Sequence, residues 1–227
     1  TRVLLARALM AQGKPARARD AYYRLVQRFP DSPEGIQAQY GIGDSYYRQG
    51  NMLLTVEAYR RALAKAPEAP RAVEARLRLA GLYRKMTLHD AAVALYQDML
   101  TEELPAERRR DILAALGECY YERGSYQKAQ LTLARAAEGD DSAAWRAAAR
   151  AGQAALADGR PADALPYLER VTKLAEDSRL VARAYDTLGE CYRRLARDDD
   201  ALAAYEAAAA LAPDSDKDET SHANAEP

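Results

Sequence analysis

Histidine and cysteine are almost missing from this 227-residue chain, which has two of each. A structural zinc site draws four ligands from such residues. Neither His89 nor His222 has a second histidine or a cysteine at ligand spacing, so no metal site is expected. There is also no apolar run of the ~20 residues that a membrane-spanning helix needs. Net charge is −1, from 33 basic and 34 acidic residues, which removes the global electrostatic case for nucleic-acid binding. The charge is uneven: residues 1–66 carry 11 basic and 5 acidic residues, and 141–227 carry 11 and 17. Part of that acidity lies in the last fourteen residues, where Asp214-Ser215-Asp216-Lys217-Asp218-Glu219 has no apolar period and reads as a disordered acidic tail over 214–227. Tryptophan and phenylalanine occur once each, against 15 tyrosines.

Those tyrosines are periodic. Small residues stand at Ala6, Gly43, Ala80, Gly117, Gly152 and Gly189, at intervals of 37, 37, 37, 35 and 37. Three residues after each come Leu9, Tyr46, Tyr83, Tyr120, Ala155 and Tyr192. Sixteen after each come Tyr22, Tyr59, Tyr96, Leu133, Leu168 and Tyr205. Self-similarity at this period marks a stacked array, in which each unit buries its apolar face against its neighbours.

Each period reads as two amphipathic helices. Ile36, Gln39, Ile42, Gly43 and Tyr46 share one face at i, i+3, i+4 spacing. Ser32-Pro33 and Asp177-Ser178 open first helices, with each serine as the expected cap and Pro33 at the first helical position. Gly13, Gly50, Gly124 and Gly159 stop them, with Thr87 and Ala196 as departures. Pro30, Pro67 and Pro213 follow second helices. The small anchor is expected to let two helices approach, with the large residues filling the space around it.

A small residue, a tyrosine three on, an alanine nine beyond, an aromatic four further and a terminal proline resemble the tetratricopeptide repeat. The resemblance implies an all-α fold, a right-handed superhelical solenoid of helix-turn-helix repeats. Six repeats are expected, near 1–31, 32–68, 69–104, 105–141, 142–176 and 177–213. The family's usual period is about 34 residues. The longer period here, with Arg28-Phe29-Pro30-Asp31-Ser32 and Gly43-Asp44-Ser45-Tyr46-Tyr47, resembles repeats of bacterial envelope proteins. Outer-membrane assembly lipoproteins and the periplasmic Tol-Pal cell-division coordinator are of this type. That similarity places the chain in a bacterial periplasm or cell envelope, with the cytoplasm as the alternative. The chain opens at Thr1, already inside the first repeat, and is expected to be a mature or excised piece of a longer product.

No set of residues assembles a nucleophile, a base and an oxyanion donor, so no enzyme and no cofactor are expected. Gly41-Ile42-Gly43 lies within a helix and lacks the third glycine of a phosphate loop. Asp198-Asp199-Asp200 reads as a solvated helix end. Cys119 and Cys191 stand two residues after their anchors and two repeats apart, about 16–20 Å at ~8–10 Å per packed helix. A disulfide reaches no further than ~7 Å, so both are expected to be structural thiols.

The resemblance implies a protein-interaction scaffold whose first helices line a concave groove for a protein or peptide ligand. The expected groove residues are Tyr40, Asp44, Tyr47, Arg48, Leu77, Arg84, Glu118 and Tyr121. The alternative is a structural or regulatory segment of a larger protein whose activity lies elsewhere. Chaperone-binding members of the family hold a terminal carboxylate with lysines, asparagines and an arginine. The matching positions here are Val3, Arg7, Gly41, Leu77 and Gly81, which argues against that role.

Overall fold

The computed structural model describes residues 2–211, and among them it has twelve α-helices and no strand. In chain order they are α1 (Arg2–Ala11), α2 (Pro15–Arg28), α3 (Pro33–Arg48), α4 (Met52–Lys65), α5 (Ala72–Lys85) and α6 (His89–Leu100). Then follow α7 (Ala106–Glu122), α8 (Tyr126–Ala136), α9 (Ser142–Ala157), α10 (Pro161–Leu174), α11 (Ser178–Arg194) and α12 (Asp198–Leu211). They form two compact units, divided between residues 104 and 105, the first with α1 to α6 and the second with α7 to α12. In each unit every helix packs on the next in sequence, and first helices of successive hairpins also touch, as α1 with α3, α3 with α5 and α9 with α11. The expected tail at 214–227 lies outside the described residues, as does Pro213.

In four of the six hairpins the core is a large side chain pressed onto a bare stretch of helix, and in the other two the anchor is alanine, Ala6 or Ala80. A Cβ placed on Gly43 would lie 2.4 Å from the Tyr59 ring, and one on Gly189 would lie 2.5 Å from Tyr205. Leucines do the same work at Gly117, where the distance to Leu133 is 2.5 Å, and at Gly152, where it is 2.7 Å to Leu168. Gly41 faces the other way: a Cβ there would meet the Tyr22 ring of the preceding hairpin at 2.5 Å. Gly41 and Gly43 thus let α3 sit between two tyrosines, which explains the glycine pair without a phosphate. Tyr22, Tyr59 and Tyr96 are buried. The tyrosines three residues after the anchors are mostly half-buried, and several lie under a cation: Arg19 over Tyr46, Lys128 over Tyr120 and Arg197 over Tyr192.

Helix ends follow the sequence with one correction. Ser32 Oγ accepts the Gly35 N–H at 3.0 Å, with Pro33 at the first helical position. At the start of α11 the cap is Asp177, not Ser178; its carboxylate accepts the N–H groups of Arg179 and Leu180 at 3.0 and 3.3 Å. Asp177 has the extended backbone a cap requires and adds a negative charge at the positive end of the helix dipole, whereas Ser178 is already helical. Cys119 and Cys191 are buried and not joined in a disulfide, and burial pushes the Cys191 thiol up to about 11.

All six first helices end in the same left-handed turn. Four use glycine, but Thr87 and Ala196 hold φ of 58° and 56° there. The next residue closes the turn on the carbonyl five back, as Leu88 N–H does to Tyr83 at 2.8 Å and Arg197 N–H to Tyr192 at 3.0 Å. The left-handed conformation costs a residue with a Cβ about 1–2 kcal/mol. Part of that is offset by the stiffer unfolded chain. Thr87→Gly and Ala196→Gly should each therefore stabilise the protein by about 0.5–1 kcal/mol, seen as a higher melting midpoint. Gly50→Ala, at φ 72°, should lower it. No gain from either glycine would mean that the turn carries no strain.

Candidate functional site

First helices supply the open clefts of both units. In the first unit, α1, α3, Arg78 of α5 and the α4–α5 connection enclose about 860 Å³. Its apolar lining includes Val3, Met10, Ile36, Tyr40, Pro67 and Pro70. Its charged lining comprises Arg7, Arg48, Arg71 and Arg78 against Asp44 and Glu68. Arg48 donates to the Met10 carbonyl at 2.7 Å, which ties α3 to α1. In the second unit, α9, the start of α11 and Glu118 of α7 frame a smaller cleft of about 520 Å³.

Asp44 is the electrostatic centre of the first cleft. Its side chain is 14% exposed, and it accepts from Tyr59 Oη at 2.6 Å, from Arg78 Nη1 at 2.8 Å and from Arg71. Burial and then the Asp44 charge push the Tyr59 phenol well above its ordinary value, so its proton stays in the bond to Asp44. The Arg78 guanidinium also lies 5.1 Å from the Tyr47 ring centre. The same constellation returns in the second unit. Arg150 Nε donates to both Glu118 oxygens at 3.0 Å, and its guanidinium stacks 3.9 Å from the Tyr121 ring centre. In both units an acid one residue after an anchor and a tyrosine four after it clasp an arginine two before the next anchor.

The expected groove residues therefore separate. Tyr40, Asp44 and Arg48 line the first cleft and Glu118 the second, whereas Tyr47, Leu77, Arg84 and Tyr121 line neither. Tyr40 is not a free aromatic surface. It is 1% exposed, and its hydroxyl donates to the Ala66 carbonyl at 2.6 Å, because the α4–α5 connection folds over it. Tyr47, 40% exposed, keeps part of its ring in solvent beside Arg78. Arg71, Arg78 and Arg150 were missed. The signal for Arg78 and Arg150 was in the sequence, since an arginine precedes an anchor by two wherever the repeat before it carries acid and tyrosine at these positions.

The two clasps should differ in strength. Asp44→Ala takes the acceptor from a buried phenol and from Arg71 and leaves Arg78 paired with Glu74, and should cost about 2–3 kcal/mol, below the ~3–5 of a fully buried pair because both arginines are partly solvated. Glu118→Ala breaks a pair that is more than a quarter exposed on each side and should cost about 1 kcal/mol. Chemical denaturation of the two variants checks the order, and equal or reversed losses would contradict it.

Tetratricopeptide-repeat sequence models match residues 3–70 and 143–214. No curated protein matches the chain in sequence. Among solved structures, the C-terminal part of a tetratricopeptide repeat-containing protein from Cytophaga hutchinsonii is similar, with a TM-score of 0.72 and 17% identity over 92% of this chain and 78% of that one. YrrB, described as a repeat protein of this kind with an unusual peptide-binding site, has a TM-score of 0.68 and 17% identity over 87% and 95%. BtubC from P. vanneervenii has a TM-score of 0.67 and 16% identity over 88% of each chain. The resemblance to envelope lipoproteins finds no support in these matches. What they share with this chain is the helix-turn-helix fold, and the matched models at both ends, on a period of glycines that seat tyrosines and leucines, show that it belongs to the tetratricopeptide repeat family.

Proposed function

We propose that the chain is a non-catalytic scaffold that holds a peptide or protein segment against its first helices, with the first-unit cleft as its principal seat. The observation that carries this reading is the make-up of that cleft: apolar side chains alongside four arginines and two acids, within about 860 Å³. Arg7 and Arg48 have no carboxylate partner among the described residues, so they are available to a ligand's acidic or carbonyl groups. Asp44, Tyr59, Arg71 and Arg78 are committed to one another and Tyr40 to Ala66, an arrangement that shapes a surface rather than activating a nucleophile. Arginine and tyrosine in such settings are the types enriched among residues that dominate binding energy. Members of the family are typically scaffolds of this kind, and the peptide-binding site named for YrrB is a structural precedent. Tyr47 at the exposed edge beside Arg78 extends the surface, and no membrane-spanning helix is present among the described residues.

The test uses a partner recovered with the intact protein from its own cells. Arg7→Ala with Arg48→Ala should weaken that partner by about 2 kcal/mol or more in combination, while the melting midpoint falls only slightly. Arg60→Ala with Lys65→Ala, on the exposed side of α4, should leave affinity unchanged. Loss of binding in the α4 pair alone would place the site on the second helices and overturn the proposal.

A further inference from the structure

The second unit carries an arrangement that its own packing does not account for. Arg146 and Arg150 are four residues apart on α9, and Arg179 and Arg183 are four apart on α11, so each helix presents two cations on one face of the same cleft. Like charges at this spacing destabilise a helix. Arg179 also stands in the first turn of α11, where the helix dipole disfavours a cation. The cleft's two carboxylates relieve this only at Arg150. Glu118 is taken by Arg150, and Asp177 is spent on the N–H groups that open α11. Arg146, Arg179 and Arg183 are exposed and form no ion pair among the described residues. Between them lie Ala149 and Leu180, a small apolar wall that would seat an aliphatic side chain.

We infer that this cleft is a second binding site, specific for an acidic peptide segment whose carboxylates alternate with an aliphatic residue. Arginine suits that ligand because its planar fork takes a carboxylate through two parallel hydrogen bonds. Three forks on two facing helices fix the direction of the bound chain as well as its charge. In an extended peptide, side chains on one face recur every ~6.6 Å, so neighbouring carboxylates on one face engage separate guanidiniums while a residue of opposite orientation meets Leu180. Arg146 and Arg183 stand six residues before their anchors and Arg179 ten before, so the site does not coincide with the positions at which chaperone-binding relatives hold a terminal carboxylate. It depends on the scaffold reading only in treating first helices as the binding face.

The test is fluorescence anisotropy of the intact chain with a labelled peptide of alternating Glu and Leu, eight residues long and blocked at both ends. A Gln/Leu peptide of the same length is the control. The Glu peptide should bind and the Gln peptide should bind at least about tenfold more weakly, with affinity falling as salt rises. Arg146→Gln with Arg183→Gln should lose about tenfold or more, and Arg179→Gln should lose less than that pair. Arg60→Gln, on the exposed side of α4 and in neither cleft, should bind the Glu peptide as the parent does, while Arg7→Ala with Arg48→Ala reports separately on the first-unit cleft. Exposed arginines are replaced throughout, and an unchanged melting curve shows that each variant is folded. Absence of binding by the parent, equal binding of the Gln peptide, or unchanged affinity in the Arg146/Arg183 variant would each overturn the site. So would loss confined to the Arg7/Arg48 variant, or tighter binding of single-stranded RNA that displaces the peptide.

Discussion

Everything in this chain depends on how near two helices of a hairpin can come. A tyrosine ring or a leucine comes closest to a helix where the helix has no side chain, and Gly43, Gly117, Gly152 and Gly189 provide that absence. Glycine in a helix interior is a poor helix former, costing about 1 kcal/mol relative to alanine. The contact must return more than this, and it does so by burying a large apolar surface against close-packed backbone. Ala6 and Ala80 also sit at anchor positions and are fully buried, so a single methyl group is accommodated in those hairpins. Close pairing sets the position of the first helices, and with them the shape of both clefts.

Electrostatics then joins one hairpin to the next. The Asp44–Tyr47–Arg78 clasp reaches across 34 residues of sequence, and Glu118–Tyr121–Arg150 across 32. In each, the arginine from the later hairpin is held by an acid and an aromatic face from the earlier one. These groups stiffen the cleft rather than face a ligand, because their charges already answer each other. In the proposed reading, recognition falls to the cations that form no ion pair among the described residues: Arg7 and Arg48 in the first unit, and Arg146, Arg179 and Arg183 in the second. Packing residues and the proposed recognition residues therefore alternate along the same helices without competing for the same atoms.

The fold was legible because the interaction that builds it is local and repeated. Gly43 and Tyr59 are sixteen residues apart, and the same offset returns at Gly117 with Leu133 and at Gly189 with Tyr205. The left-handed turns were legible too, although at Thr87 and Ala196 the backbone kept its conformation after the glycine had gone. The clefts were less so. Periodicity told which helix would line them, and Asp44 and Arg48 do line the first cleft, but it could not show that a connection of the chain would cover Tyr40. It also missed Arg78 and Arg150, whose role depends on a partner one repeat away rather than on their own helix. Asp177 took the cap from Ser178 because one residue of register decides which side chain meets the free N–H groups.

The most direct test of the packing account is the sign of one substitution in two backgrounds. Gly117→Ala raises helix propensity, yet its Cβ would lie 2.5 Å from Leu133, so in the natural chain it should destabilise by about 1–3 kcal/mol. In a Leu133→Ala background the obstruction is gone, and the same change should be neutral or stabilise by up to about 1 kcal/mol. Denaturation of the four proteins in this cycle gives the coupling. A reversal of sign is the predicted result, and a Gly117→Ala effect that is the same in both backgrounds would contradict the claim that bare helix under a large side chain holds the hairpins together.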